Sequence, residues 1–316
     1  TFNNDISCTA NSEITGGTFL NRTYIHNSVV ISGGTFNQEV KVFDSGVITG
    51  GYFSKAISAY NEKFIRGGYF KTKPDDSYID DGYVITDSGD TNYPYRVVMP
   101  HTCNGVTYDK PLDSSFTGGT LASGNYYLTE DITLASIIQI NAGSDVKICL
   151  NGKSISGHYV ENRGTLTLNN CNAANGKLNN YYHGYNDSVL YGNAVINNTV
   201  FSSTEGTSKI SGCIFDHKFV CMENSEITGG TFNQTVAVYD HGVITGGYFG
   251  GTVASGTVDD KFIKGGYFKT KPNDNFIADG YIITASGNTN YPYKVVATHT
   301  CNGVTYDKPL DSSFTG

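Results

Sequence analysis

Two His-Thr-Cys tripeptides are the closest pairs of possible metal ligands in the sequence. They are His101-Thr102-Cys103 and His299-Thr300-Cys301. Histidine nitrogen and cysteine sulfur are preferred zinc ligands, but a structural zinc site needs four of them, usually as two close pairs. Neither tripeptide has a second pair nearby in the sequence. We therefore expect no metal site, and no motif indicates another cofactor.

Groups that could carry out catalysis on a polysaccharide are sparse. A lyase needs a basic residue to remove a proton and carboxylates to hold Ca²⁺, and a glycosidase needs two facing carboxyl groups. The chain has four arginines, and no cluster of carboxylates is evident. A carbohydrate-active enzyme is therefore the least favoured of three functional hypotheses, and no catalytic residue is predicted.

Tyrosines suggest a binding function. They are dense where the sequence is least regular, in a predicted loop over residues 179–187 and just after it. A tyrosine ring can stack on a sugar while its hydroxyl group makes a hydrogen bond. The predicted glycan contacts are Tyr181, Tyr182, Tyr185 and Tyr191. The chain has no tryptophan, however, and the alternative is that these rings only cover the protein surface.

Composition excludes several classes of protein. The 21 Lys and Arg against 29 Asp and Glu give a net charge of -8, which disfavours a nucleic-acid partner. No apolar run is long enough to enter a membrane as a helix. The 38 glycines and the scarcity of strong helix formers favour many short strands joined by turns.

A large repeat underlies the sequence. Residues 101–118 recur unchanged as residues 299–316, and residues 67–74 recur as residues 265–272, both with an offset of 198 residues. We therefore predict tandem modules of about 198 residues, and we expect the sequence to be a segment of a longer protein.

A smaller repeat of 17 residues lies inside the large one. Hexapeptides such as Ile14-Thr-Gly-Gly-Thr-Phe19 and Ile31-Ser-Gly-Gly-Thr-Phe36 recur with this spacing. A 17-residue period is too short for a pair of helices and is typical of one coil of a parallel β-solenoid. The fold class is predicted to be all-β. The predicted core ladder consists of Phe2, Phe19, Phe36, Phe53, Phe70, Phe215, Phe232, Phe249 and Phe268.

Each coil has a predicted geometry. The isoleucine and the phenylalanine of the hexapeptide point inward, and the Gly-Gly pair forms a corner where positive φ is tolerated. The residue before each phenylalanine, such as Thr18 or Tyr52, faces solvent. Stacked coils advance by about 4.8 Å.

A β-hairpin is predicted to cap each module, over residues 82–98 and 280–296. Pro94 lies in the second arm of the first hairpin, so that arm is predicted to be an edge strand. Residues 1–98 are then the C-terminal part of one module, polar residues 99–118 a loop-like connection, residues 119–296 a complete module, and residues 297–316 the start of the next.

Seven cysteines are difficult to assign. Stacked disulfide partners should lie about one coil apart, whereas Cys149 and Cys171 are 22 positions apart and Cys213 and Cys221 are 8 apart. Disulfides and buried thiols are equal alternatives, and the connectivity does not follow from the sequence.

Three segments carry a resemblance to a known family. They are the strands from Gly124 to Leu168, the series of Ile-Ser/Thr-Gly-Gly-Thr/Tyr-Phe coils, and the ending from Gly67 through Tyr83 with its hairpin. The chain resembles the pectate-lyase-like right-handed parallel β-helix modules of large secreted, adhesin-like surface proteins of Firmicutes-type bacteria. The resemblance implies a right-handed coil and an extracellular or cell-surface location.

The favoured functional hypothesis is a stiff stalk or fibre, since near-identical modules provide length rather than a unique site. Other copies of the chain, stacked head to tail into a filament, are the expected partners. The alternative is a glycan-binding adhesive module with a surface polysaccharide as its partner.

Overall fold

Over its described residues, the chain is an all-β parallel β-solenoid of about 14 turns with almost no helix. Its computed structural model describes residues 1–9, 11–171, 176–185, 188–201, 208–221, 224–256, 261–302 and 304–306. The chain divides into two compact units, Thr1–Pro111 and Leu112–Gly316. Among the described residues, no helix has the length and apolar character that crossing a membrane requires.

The first unit consists of very short strands and one 3₁₀ helix, Asp76–Tyr78. The strands are β1 (Ile6–Cys8), β2 (Glu13–Ile14), β3 (Thr18–Phe19), β4 (Thr23–Ile25), β5 (Val30–Ile31), β6 (Thr35–Phe36), β7 (Val40–Val42), β8 (Val47–Ile48), β9 (Tyr52–Phe53), β10 (Ile57–Ala59), β11 (Tyr69–Phe70), β12 (Val84–Asp87), β13 (Tyr95–Val98), β14 (His101–Cys103) and β15 (Val106–Tyr108). Strand β16 (Lys110–Leu112) spans the division between the units.

The second unit has the same construction, with a 3₁₀ helix at Asp274–Phe276. Its strands are β17 (Gly119–Leu121), β18 (Gly124–Leu128), β19 (Ile132–Leu134), β20 (Ile138–Ile140), β21 (Asp145–Cys149), β22 (Ile155–Gly157), β23 (Val160–Asn162), β24 (Thr165–Asn169), β25 (Lys177–Gly184), β26 (Val189–Gly192), β27 (Val195–Phe201), β28 (Ser208–Ile210), β29 (Ile214–Phe215), β30 (Phe219–Cys221), β31 (Ser225–Ile227), β32 (Thr231–Phe232), β33 (Val236–Val238), β34 (Val243–Ile244), β35 (Tyr248–Phe249), β36 (Val253–Ser255), β37 (Tyr267–Phe268), β38 (Tyr281–Ala285), β39 (Tyr293–Ala297), β40 (His299–Cys301) and β41 (Val304–Tyr306).

Each coil of the first unit pairs with the next in parallel register. Strand β3 pairs with β6 so that Phe19 lies opposite Phe36, and β4 pairs with β7 so that Thr23 lies opposite Val40. Equivalent residues therefore differ by 17 positions, as the sequence period predicts. In this register the inward phenylalanines stack on their counterparts in the neighbouring coils.

Phenylalanine rings form a continuous stack inside each unit. Consecutive rings of the predicted ladder have centroids 4.6 to 5.0 Å apart and are nearly parallel. Phe2, at the end of the stack, is 45% exposed, whereas Phe36 is fully buried. The stacking adds a geometric preference to the burial of apolar area.

The corner at Gly50 and Gly51 needs both glycines, for different reasons. A Cβ atom on Gly50 would lie 2.2 Å from the carbonyl oxygen of Ser32 in the preceding coil, which no side chain tolerates. Gly51 has φ of +100°, a conformation that costs little only without a side chain. The first glycine therefore permits close stacking of the coils, and the second permits the turn.

Antiparallel hairpins follow the parallel ladder in both units. In the first unit, β13 pairs with β12 and also with β11, the last parallel strand. The prediction that the arm containing Pro94 is an edge strand is wrong, because β13 is central and β12 is at the edge. Pro94 precedes β13, and its carbonyl oxygen accepts a hydrogen bond from Ser88 N at 3.0 Å. The ring therefore displaces no ladder hydrogen bond.

Two segments predicted to be loops contain strands. Residues 179–184 belong to β25, which pairs in parallel with β23 and β27. Residues 101–108 form the antiparallel pair β14 and β15. In β25, Leu178 and Tyr182 are buried, so inward side chains stabilise a strand where the polar sequence suggested a loop. The recurring residues 307–316 lie outside the described residues.

Candidate functional site

A group of polar and aromatic side chains lies on the face of three adjacent parallel strands in the second unit. Strands β20, β23 and β25 align Gln139 with Glu161, and Glu161 with His183. The flanking residues Ile138 and Val160 point into the core. Because successive side chains of a strand point to opposite faces of the sheet, the three polar residues point away from the core.

Glu161 and Arg163 form an ion pair at the centre of this face. Arg163 Nε donates to Glu161 Oε1 at 2.8 Å, and the side chains are 44% and 12% exposed, respectively. The guanidinium carbon also lies 5.2 Å from the centroid of the Tyr185 ring. The arginine thus holds the carboxylate while one flat side remains against an aromatic ring.

His183 connects the ion pair to the aromatic side chains. Its Nδ1 atom lies 3.1 Å from the Tyr185 hydroxyl oxygen, and its ring stacks on Tyr159 with 4.8 Å between centroids. We call Tyr159, Glu161, Arg163, His183 and Tyr185 the polar face. Planar groups with donors and acceptors at their edges are the kind of surface that sugar hydroxyls can bind.

Burial lowers the pKa of His183 below its ordinary value of 6.5, and the nearby Glu161 opposes this effect. The unfolded chain therefore binds a proton at this histidine at higher pH than the folded chain. We predict that this contribution to stability is complete above about pH 6.5 and is lost as the pH falls through the lowered pKa. Urea unfolding at several pH values should show a smaller loss of stability in acid for His183→Gln than for the unaltered chain. An equal loss in both chains would contradict the prediction.

The predicted glycan tyrosines whose side chains the structure describes, Tyr182, Tyr185 and Tyr191, do not come together. Tyr182 is fully buried, and its hydroxyl accepts a hydrogen bond from Asn162 Nδ2 at 2.8 Å. Burial raises its pKa. No face of this ring is open to a sugar. Tyr182 is therefore a core residue, and its prediction as a glycan contact is wrong. The side chain of Tyr181 lies outside the described residues.

Tyr185 and Tyr191 remain at the surface on different sheets. Tyr185 is half-buried on the polar face, whereas Tyr191 is 45% exposed on β26. The sequence-based prediction did not include the other four members of the polar face, which are Tyr159, Glu161, Arg163 and His183. The sequence does contain a signal for this grouping, because Glu161 precedes His183 and Arg163 precedes Tyr185 by 22 positions each. Recognising that signal requires a coil length of 22 residues rather than 17.

The polar face presents charged and aromatic groups at the protein surface. It contains one carboxylate, already paired with Arg163, and acid–base hydrolysis of a sugar needs two. The described side chains of this face therefore provide an ion pair, two tyrosine rings and a histidine, without an evident nucleophile.

Two buried thiols have no reactive character. Burial raises the pKa of Cys213 and of Cys221 to about 12, so the reactive thiolate is scarce at neutral pH. We predict that iodoacetamide modifies the exposed Cys301 at least about 100-fold faster than either of them in the folded chain. Mass spectrometry of digests taken over time measures the three rates. Similar rates for all three would contradict the prediction.

Comparison of the sequence and the fold with protein families, with curated proteins and with solved structures gives no match.

Proposed function

We propose that the chain is a stiff structural segment that serves as a stalk or fibre of a surface-displayed protein. The observation that supports this is the regular ladder. Equivalent residues pair from coil to coil, and the phenylalanine stack runs through that ladder in each unit. A spacer needs constant rise and resistance to bending, and both follow from a core that no coil can complete alone.

The proposed setting is extracellular, with other copies of the chain as head-to-tail partners. Support comes from the near-identical 198-residue repeat and from the resemblance to modules of secreted β-helix proteins. A right-handed coil is part of the same proposal. Parallel strands at an open end of a solenoid can pair with another chain.

A distance between two labels inside the second unit tests this stiffness. Asp145 and Val243 are connected by five successive register pairs on one sheet. Five interstrand steps correspond to about 24 Å. With nitroxides on noncanonical amino acids at both positions, pulsed electron paramagnetic resonance should give one narrow distribution near this value. A broad distribution would contradict a stiff segment.

Glycan binding at the polar face is the second candidate function. It is favoured by the grouping of Arg163, His183 and Tyr185 around Glu161, where the arginine side chain is 44% exposed and the glutamate side chain is 12% exposed. A sugar ring would lie against the aromatic surface, with its hydroxyls bonded to Glu161 and Arg163. This function and the structural one are compatible, since a stalk can also carry a binding face.

A polysaccharide array probed with the 316-residue chain tests the second candidate. Saturable binding to a defined glycan is expected, and Tyr185→Ala should weaken it about tenfold, which equals about 1.4 kcal/mol. Tyr60→Ala is the matched control, because Tyr60 is a 73% exposed tyrosine in the other unit. No binding by the folded chain, or equal loss in both variants, would reject the polar face as the site.

A further inference from the structure

Two cysteine sulfurs of the second unit lie close together on neighbouring coils. The Sγ atoms of Cys149 and Cys171 are 3.7 Å apart. Cys149 ends β21 and lies opposite Asn169 of β24, so Cys171 follows two residues after its register partner. Cys149 is fully buried and Cys171 is exposed. One sulfur is thus fixed in the core, and the other can be reached from solvent.

The separation of the sulfurs matches a particular kind of bond. A disulfide needs about 2.05 Å between the sulfurs, which is far shorter than 3.7 Å. A tetrahedral zinc ion with Zn–S bonds of about 2.3 Å places two thiolate sulfurs about 3.8 Å apart. The observed distance, at which one thiol can donate to the other sulfur, also equals one edge of such a tetrahedron.

We propose that Cys149 and Cys171 bind a thiophilic divalent cation of the zinc type. Binding replaces the two thiol protons, which are released to solvent, by two sulfur–metal bonds. Water or further nitrogen or sulfur donors complete the tetrahedron. The cation joins two neighbouring coils where the chain turns after β21 and after β24. The sequence predicts no metal site, because zinc motifs are recognised as pairs of ligands that are close along the chain. Cys149 and Cys171 are instead close across neighbouring coils.

Metal analysis of the 316-residue chain tests this proposal. After incubation with Zn²⁺ and removal of the excess, the chain should retain about one equivalent of zinc. Cys171→Ser should lower retention in the presence of a competing chelator by at least about tenfold. Cys171→His should restore part of it, since histidine is also a zinc ligand. Cys301→Ser, which removes another exposed thiol, should retain zinc as the unaltered chain does.

Cobalt substitution gives an independent readout. Co²⁺ bound by thiolates produces a strong charge-transfer absorption that is absent from a site of oxygen ligands. This absorption should appear in the unaltered chain and be lost in Cys171→Ser. Because Cys171 is exposed, its replacement leaves the core unchanged, and the far-UV circular dichroism of both chains should coincide.

Three results would overturn the proposal. One is a folded chain that retains no zinc and has two titratable thiols at Cys149 and Cys171. Another is a Cys149–Cys171 disulfide, seen as a mass loss of two hydrogen atoms, in a chain purified without added oxidant. The third is equal zinc retention in Cys171→Ser and the unaltered chain.

Discussion

Replacing Gly50 by alanine should destabilise the first unit by about 3 kcal/mol or more. The added Cβ would lie 2.2 Å from the carbonyl oxygen of Ser32 and 2.9 Å from its carbon. Both are backbone atoms of the neighbouring coil, so they can move away only if the two coils separate. Urea denaturation of the 316-residue chain, followed by tyrosine fluorescence, measures the change.

Gly16→Ala is the matched control for Gly50→Ala. Gly16 occupies the same place in its coil, but a Cβ there would meet nothing within 4 Å. We expect it to change stability by less than about 0.5 kcal/mol. If both variants were equally destabilised, the cost would come from the backbone preference of glycine, and close stacking of the coils would not explain the repeat.

Phe36→Ala should cost about 3 to 5 kcal/mol of unfolding free energy. The ring is fully buried and stacks on Phe19 at 4.6 Å and on Phe53 at 5.0 Å between centroids. Its removal leaves a cavity between two neighbours that the coil spacing holds apart. The same denaturation measurement applies, and Phe36→Leu should cost less because part of the volume is retained.

Phe2→Ala provides the comparison within the same stack. Phe2 is 45% exposed and has one stacked neighbour, Phe19. Its loss should cost less than half as much as the loss of Phe36, because less area leaves water when it packs. Similar costs for Phe2→Ala and Phe36→Ala would show that the stack does not contribute through burial.

The regular coils could be predicted from the sequence because their signal is local and repeated. A 17-residue spacing of phenylalanine, with Gly-Gly before it, defines both the inward positions and the corners. The coil register is then determined, since a shift by one residue would turn Phe36 toward solvent. For this reason the fold of the regular coils could be predicted from the sequence.

The irregular coils could not be predicted in the same way. A coil of 22 residues brings Glu161 beside His183, and a coil of 20 residues, from Cys149 to Asn169, brings Cys149 close to Cys171. No repeated motif marks either length. Tyr182 was misassigned because aromatic residues in a polar sequence fit both a surface and a core. Only the pairing of β25 with its neighbouring strands determines that the Tyr182 ring points into the core.

We propose that this chain is a stiff structural segment, and the most informative measurement is to pull on single molecules of the 316-residue chain between their two ends. We predict that the chain keeps its folded length as force rises and then lengthens in abrupt steps, with about 3.5 Å released per residue unfolded. Steps of at least one coil are expected, since the coils share one core within each unit. Gradual lengthening at low force, without steps, would contradict the proposed function.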